Sequence, residues 1–242
     1  MTNQATLELL TTLRLWGMKN AFSAYLQTPT RLTNDELVAH LTEAEQLHRH
    51  HQRLKRLMKN AHFRYQATMA DIDFDAARGL DKNLVLRLAQ ATFIQQAQPI
   101  IITGPTGVGK SFIASALGQQ ACLLGFRTLY VNTRKLFHQL HQALADNSYA
   151  RLIRKIEKQD LLILDDFALH PMKSNDRNAL MEIIEDRHQK KATILIAQLP
   201  VAQWHDWIGD SAIADAVLDR LVHQAHRIEL KGESLRKRKS KK

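Results

Sequence analysis

Gly104-Pro105-Thr106-Gly107-Val108-Gly109-Lys110-Ser111 is the stretch whose reading decides the fold. It fits G-x-x-x-x-G-K-[ST], the phosphate-binding loop, whose glycines let successive backbone N–H groups curl inward on an anion. Its flanks fit as well. Ile100-Ile101-Ile102-Thr103 reads as a short buried strand, and Ser111 to Leu124 reads as a helix. The motif needs that order of strand, loop and helix, because the helix start adds its dipole to the N–H groups of the loop. Lys110 is then placed to reach the β- and γ-phosphates of a nucleoside triphosphate, and the Ser111 hydroxyl to ligate Mg2+. Without those flanks the same glycines would make a turn that binds nothing.

A nucleotide hydrolase also needs an acidic site, and Leu161-Leu162-Ile163-Leu164-Asp165-Asp166 supplies one. Four apolar residues make a buried central strand, and its carboxylates emerge at the carboxyl end, where open α/β sheets bind ligands. Asp165 would hold Mg2+, directly or through water, and Asp166 would orient or deprotonate the attacking water. The strand Thr193–Ala197 ends at Gln198, whose amide either touches the γ-phosphate or the lytic water, or caps the turn before Pro200. Arg220 follows the apolar helical pattern of Ala216, Val217 and Leu221 and sits beside Asp219. Two readings fit it: an arginine finger on a neighbouring subunit's γ-phosphate, or an Asp–Arg surface pair.

Strand candidates at Ile100–Thr103, Thr128–Asn132, Leu161–Asp165, Thr193–Ala197 and Arg227–Leu230 alternate with helical segments. Such alternation implies a mainly parallel sheet covered by helices on both faces. A P-loop ATPase domain is therefore expected over 81–233, with a helix from Lys82 to Gln96 turning Leu84, Leu88 and Ala91 inward. Residues 1–62 read as a small all-helical domain for DNA or partner binding. Gly17 divides its first part into two short helices. Thr33-Asn34-Asp35-Glu36 caps a long helix running to about Asn60. Residues 63–80, with the acidic run Asp71-Ile72-Asp73-Phe74-Asp75, read as an extended linker, and 234–242 as a basic tail.

The net charge is +10, which favours a polyanionic partner. Arg49, Arg53 and Arg56 lie at i, i+4 and i+7 on one face of the long helix, followed by Lys59. This row suits a DNA backbone, although a solvated basic face has the same pattern. The tail carries Arg236, Lys237 and Arg238, which would lie on nucleic acid or merely solubilise the end. Histidines beside the arginine row lack the HExxH spacing of a metal site. The single cysteine, Cys122, excludes an internal disulfide framework. With no signal peptide and no apolar run of membrane length, a cytoplasmic protein without membrane partners is expected.

Taken together, these residues resemble the IstB family of insertion-sequence ATPases, relatives of the DnaC-type helicase loaders in the AAA+ class. The resemblance rests on Leu13-Arg14-Leu15-Trp16-Gly17-Met18, Asp71-Ile72-Asp73-Phe74, the P-loop, Leu161–Asp166, Gln198-Leu199-Pro200 with Trp204-His205, Asp219-Arg220-Leu221 and the run from Ile228 to Arg236. Asp165-Asp166 resembles this branch, whereas most AAA+ proteins carry Asp-Glu. The resemblance implies the AAA+ sheet order, no helical lid, and Mg2+-dependent hydrolysis of ATP. It also implies a homo-oligomer on duplex DNA with ATP between subunits, Arg220 as the finger, and a partner transposase resembling IstA. Ala197-Gln198 departs from the Asn, Ser or Thr usual at the AAA+ sensor point. The nearest alternative is a helicase loader of the same fold that prefers single strands. A small-molecule kinase, or a DNA-binding protein using ATP only structurally, are further rivals.

Overall fold

In a computed structural model of the chain, residues 2–28, 31–74 and 79–235 are described. Arg236, Lys237 and Arg238 lie outside them. Contacts divide the chain into two compact units, one ending at Arg56 and the other starting at Leu57. The division falls inside a helix, ahead of the expected end of the helical domain at 62.

The first unit is built from α1 (Asn3–Thr12), α2 (Trp16–Gln27) and the start of α3 (Asn34–Ala61). Thr33 caps α3 as its sequence predicts. The Glu36 amide donates to the Thr33 hydroxyl at 3.3 Å, and the Glu36 carboxylate accepts from the Thr33 amide at 2.7 Å. The break between α1 and α2 falls at Leu13–Leu15, where Arg14 has φ 58°, and not at Gly17. Gly17 lies inside the first turn of α2 and serves close approach: a Cβ there would come within 2.4 Å of the Ala44 carbonyl oxygen on α3. Next to it the buried Glu45 carboxylate accepts the Gly17 and Met18 amides at 2.7 and 3.2 Å, capping α2 from its neighbour.

In the second unit five strands form one parallel sheet, β1 (Ile100–Thr103), β2 (Thr128–Asn132), β3 (Leu161–Phe167), β4 (Ala192–Ala197) and β5 (His226–Glu229), in the order β2-β3-β4-β1-β5. The helices are α4 (Lys82–Leu88), α5 (Thr92–Gln95), α6 (Lys110–Leu123), α7 (Thr133–Ala145), α8 (Tyr149–Glu157), α9 (Ser174–Arg187), α10 (Trp204–Ile208) and α11 (Ser211–Val222). The period-2 alternation of each strand feeds two hydrophobic layers. Ile100 and Ile102 join a cluster with α4, α5 and α6. Ile101 joins the other, with residues of α7 through α11. Both faces are thus covered, which is why the strands read as continuous apolar runs.

Two sequence expectations differ from this fold. The single helix over 82–96 is broken in two at Ala91, which has φ 59°. The segment from 63 onward, read as a linker, is packed: Phe63, Tyr65, Ala67, Met69, Ile72 and Phe74 all belong to the layer containing α6. It is a strap on the sheet unit. Among the described residues no helix is long and apolar enough to cross a membrane.

Candidate nucleotide site

The P-loop follows β1 and leads into α6, whose N-cap is Gly109. Gly104 and Gly107 have φ of +142° and +87°, values that a side chain opposes. There is no room for one either. A Cβ at Gly104 would meet the Leu230 carbonyl oxygen at 2.3 Å, and one at Gly107 the Ser234 hydroxyl at 2.2 Å. Leu235 donates its amide to the Gly107 carbonyl at 3.0 Å. The segment after β5 therefore lies against the loop.

Lys110 is buried, with its ammonium on the Gly104 and Pro105 carbonyls at 2.6 and 2.8 Å. Burial lowers its pKa, opposed by Asp165 and Asp166. The Ser111 hydroxyl donates to Asp165 Oδ1 at 3.1 Å.

A β-bulge sets the acidic pair. In the ladder with β4, Leu164 faces Leu195 and Phe167 faces Ala197, so β3 carries one extra residue at Asp165-Asp166. Asp166 takes φ 55°, and its amide donates to Asp165 Oδ1 at 2.9 Å. Asp165, only 1% exposed, has its Oδ2 contacted by Arg64 Nη1 at 3.0 Å and by the Tyr130 hydroxyl in a very short hydrogen bond. Burial is the largest of the causes that raise the Tyr130 pKa, so the phenol keeps its proton and donates. Asp166 is more open. It accepts from Asn132 Nδ2 at 2.7 Å and lies 3.7 Å from Arg64. Burial, and then the neighbouring Asp165, push its pKa up, so it has the character of a base in a way that a fully solvated carboxylate lacks.

The donors fit a magnesium ion. A hydroxyl and a buried carboxylate oxygen converge within 3.1 Å at the start of a helix that follows a phosphate-binding loop, and Mg2+ takes hard oxygen ligands of this kind, one or two from protein. Gln198 is also at the loop, its amide oxygen accepting from the Thr106 hydroxyl at 2.7 Å. The structure thus brings Gly104–Ser111, Asp165, Asp166 and Gln198 together.

Arg220 is elsewhere. It donates to Glu185 at 3.1 Å and to the Ala216 carbonyl at 2.9 Å, and it lines a small cleft with Pro99, Lys191 and Thr193, where β1 and β4 begin. The loop is at the other end of those strands. The neighbouring acid on which its surface-pair reading rested, Asp219, pairs with His223 instead. In the first unit Arg49, Arg53 and Arg56 line a cleft of about 850 Å3 together with Arg14 and Trp16, and Arg49 is held by Glu45 at 2.8 Å. Lys59 lies further along α3 and is exposed.

Sequence reasoning missed Arg64, Tyr130 and Asn132. Only Asn132 left a signal, as a polar residue at the carboxyl end of an apolar strand.

Comparison with known proteins agrees with this geometry. The family described as IstB-like ATP binding protein matches residues 8–242. The putative insertion sequence ATP-binding protein y4pL of Sinorhizobium fredii is 42% identical over 244 residues, covering 100% of both chains. The putative ATP-binding protein of insertion sequence IS1162 from Pseudomonas fluorescens is 41% identical, covering 83% of this chain and 88% of its own. Among solved structures, DnaI superposes with a TM-score of 0.57 at 19% identity over 73% of this chain and 94% of its own. The DnaC helicase loader gives 0.51 at 16% over 73% and 99%. Those likenesses show the same fold, a P-loop domain around a five-stranded parallel sheet, and in this chain helices precede it. A nucleotide site of this build and a family match over almost the whole length lead to one assignment: the chain belongs to the IstB-like ATP-binding proteins of insertion sequences.

Proposed function

We propose that the chain is a magnesium-dependent ATPase that assembles with copies of itself on duplex DNA and, so assembled, helps a partner transposase use its target. The observation that carries the ATPase reading is the 3.1 Å approach of Asp165 to Ser111 beside the buried Lys110. Ser111 and Asp165 would hold Mg2+, which would supply positive charge against the phosphates. Lys110 binds those phosphates, the loop amides hold them, and Asp166 takes a proton from the attacking water. Gln198, on the Thr106 hydroxyl, orients that water or the γ-phosphate.

The position of Arg220 supports the assembly reading. It belongs to the end of the sheet remote from its own loop, so as a finger it serves a neighbour's site, and the interface is head to tail. Residues 81–233 then carry ATP, with residues 63–74 packed onto them, and residues 1–62 carry the contacts to DNA or partner. Arg49, Arg53 and Arg56 contact the DNA backbone, with Lys59 next on the same helix and Arg236, Lys237 and Arg238 in the tail. The transposase partner is inferred from relatives named as insertion-sequence ATP-binding proteins.

The test is ATP turnover with and without Mg2+, and with duplex or single-stranded DNA, alongside sedimentation of the assembly. Turnover that needs Mg2+, together with duplex-dependent assembly in ATP, supports the reading. A clear preference for single strands points to a helicase loader, and no hydrolysis in a single turnover leaves ATP as a structural ligand.

A further inference from the structure

Asp165 has no spare lone pair. Oδ1 accepts from the Ser111 hydroxyl and the Asp166 amide, and Oδ2 accepts from Tyr130 and Arg64. An ionised carboxylate offers about four acceptor positions, so a cation that binds Asp165 must displace one of these donors. The Asp166 amide is fixed by the bulge, and Tyr130 is buried on β2. The Ser111 hydroxyl is itself a proposed ligand and can rotate. Arg64 is different in two ways. Its side chain is 43% exposed on a flexible stem, so it leaves into water at little cost. It is also the only one of the four that carries a positive charge, and two cations on one carboxylate oxygen repel.

The backbone on either side of Arg64 is anchored, so its delivery to Asp165 is built in. Phe63 packs on α6 where a Cβ at Gly118 would touch its ring at 2.5 Å, and it meets the Tyr130 ring edge-on at 6.4 Å. Tyr65 packs on Phe112 at 6.1 Å, and its carbonyl accepts from Gln119 at 2.8 Å. With Asp166 3.7 Å away and the Tyr65 ring 5.7 Å away, the guanidinium has nearby places to move to.

We propose that Arg64 is a positioning residue of the nucleotide site that competes with Mg2+ for Asp165, and so sets how tightly the divalent cation binds. This rests on Asp165 being a magnesium ligand. A merely structural Arg64 would tie the strap to the sheet and leave cation affinity alone.

The experiment uses the full chain with a non-hydrolysable ATP analogue kept slightly below the protein concentration. Mn2+ binding is read by its paramagnetic signal, and analogue binding is measured separately in EDTA. Arg64→Ala and Arg64→Gln are expected to tighten Mn2+ about tenfold, which is about 1.4 kcal/mol. Arg64→Lys, which keeps the charge, should stay near the wild-type value, and analogue affinity in EDTA should not change. Unaltered Mn2+ affinity in the Gln variant overturns the proposal, and Gln is close enough in shape to keep the strap in place if Ala unfolds it. Weakened analogue binding in EDTA also overturns it, by making Arg64 a phosphate ligand. Asp165→Asn is the control on the underlying reading. If it leaves Mn2+ affinity unchanged, Asp165 is not a ligand, whatever the Arg64 variants do.

Discussion

Removing Arg220 should separate catalysis from stability. Its ion pair with Glu185 joins side chains 24% and 56% exposed, and such a pair contributes about 0.2–1 kcal/mol. Arg220→Ala should therefore fold normally and lose at most a few degrees of melting temperature. As an arginine finger it should lose about a thousandfold or more in kcat, or about 4 kcal/mol of transition-state stabilisation. The residue cannot deliver that effect within its own subunit. It sits beside Pro99, and the four residues of β1 that separate Pro99 from the loop span about 13 Å at about 3.3 Å each. Mixing subunits tests this directly. Asp166→Asn subunits lack the base but keep the finger; Arg220→Ala subunits lack the finger but keep the base. Each is expected to be inactive alone. In a random mixture, roughly a quarter of head-to-tail junctions pair an intact base with an intact finger, so roughly a quarter of wild-type turnover should return. Wild-type turnover by Arg220→Ala would refute the reasoning, and so would a mixture that co-assembles without regaining activity.

Lys110→Ala should abolish ATP-dependent assembly in sedimentation, whereas Asp166→Asn should bind ATP, assemble and remain assembled because it does not turn over. Normal assembly by Lys110→Ala sinks the first expectation. Gly17→Ala should destabilise the first unit by about 1–3 kcal/mol, because its Cβ would sit 2.4 Å from a backbone oxygen that no side-chain motion can move. Thermal unfolding followed by circular dichroism measures it, and a gain in stability, as helix propensity alone predicts, would contradict the close-approach account. Acid should weaken the second unit through Asp160. Burial works against its ionisation, yet Arg127 and Lys191 hold its pKa at about 2 against an ordinary 3.8. A depressed carboxylate contributes stability that is full above the unfolded pKa and lost as pH falls through the folded one. Asp160→Asn should thus cost about 1 kcal/mol near neutrality, and the difference from wild type should vanish between about pH 4 and 2 in denaturant titrations.

What was legible in the sequence was local. The P-loop joins consecutive residues, and the apolar run ending in Asp165-Asp166 announces a buried strand with its carboxylates at the rim. The alternation of strands and helices carried the parallel sheet. The strap was misread for a definable reason. Phe63, Tyr65, Ala67 and Met69 alternate with Arg64, Gln66 and Thr68, the period-2 pattern of an extended segment packed on one side. No sheet pairing accompanies it, and the acidic run downstream drew the reading toward a linker. Gly17 was misplaced because helix breaking and close packing call for the same residue. Arg64 and Tyr130 were out of reach altogether. They meet Asp165 because β2 lies next to β3 and the strap crosses α6, which are adjacencies that no local pattern encodes.

Nucleotide binding at this loop is therefore an exchange of partners. To reach a phosphate, Lys110 must leave two carbonyls, each a hydrogen bond to a charged donor of about 1.5–3 kcal/mol. To admit Mg2+, Asp165 must give up a donor. The Thr106 hydroxyl already satisfies Gln198, and Gly107 already accepts from Leu235. A phosphate wins this competition because it brings more charge than two carbonyls can offer to a buried ammonium, but the affinity is the difference and not the sum of the new contacts. The same contacts hold the loop in place before phosphate arrives, which reduces the ordering entropy still to be lost. They also tie the loop to β4 through Gln198, to the segment after β5 through Leu235 and, across Asp165, to the strap through Arg64. Whatever replaces them at the loop changes the hydrogen bonding of all three at once, and that gives a physical basis for nucleotide state to be felt beyond the site.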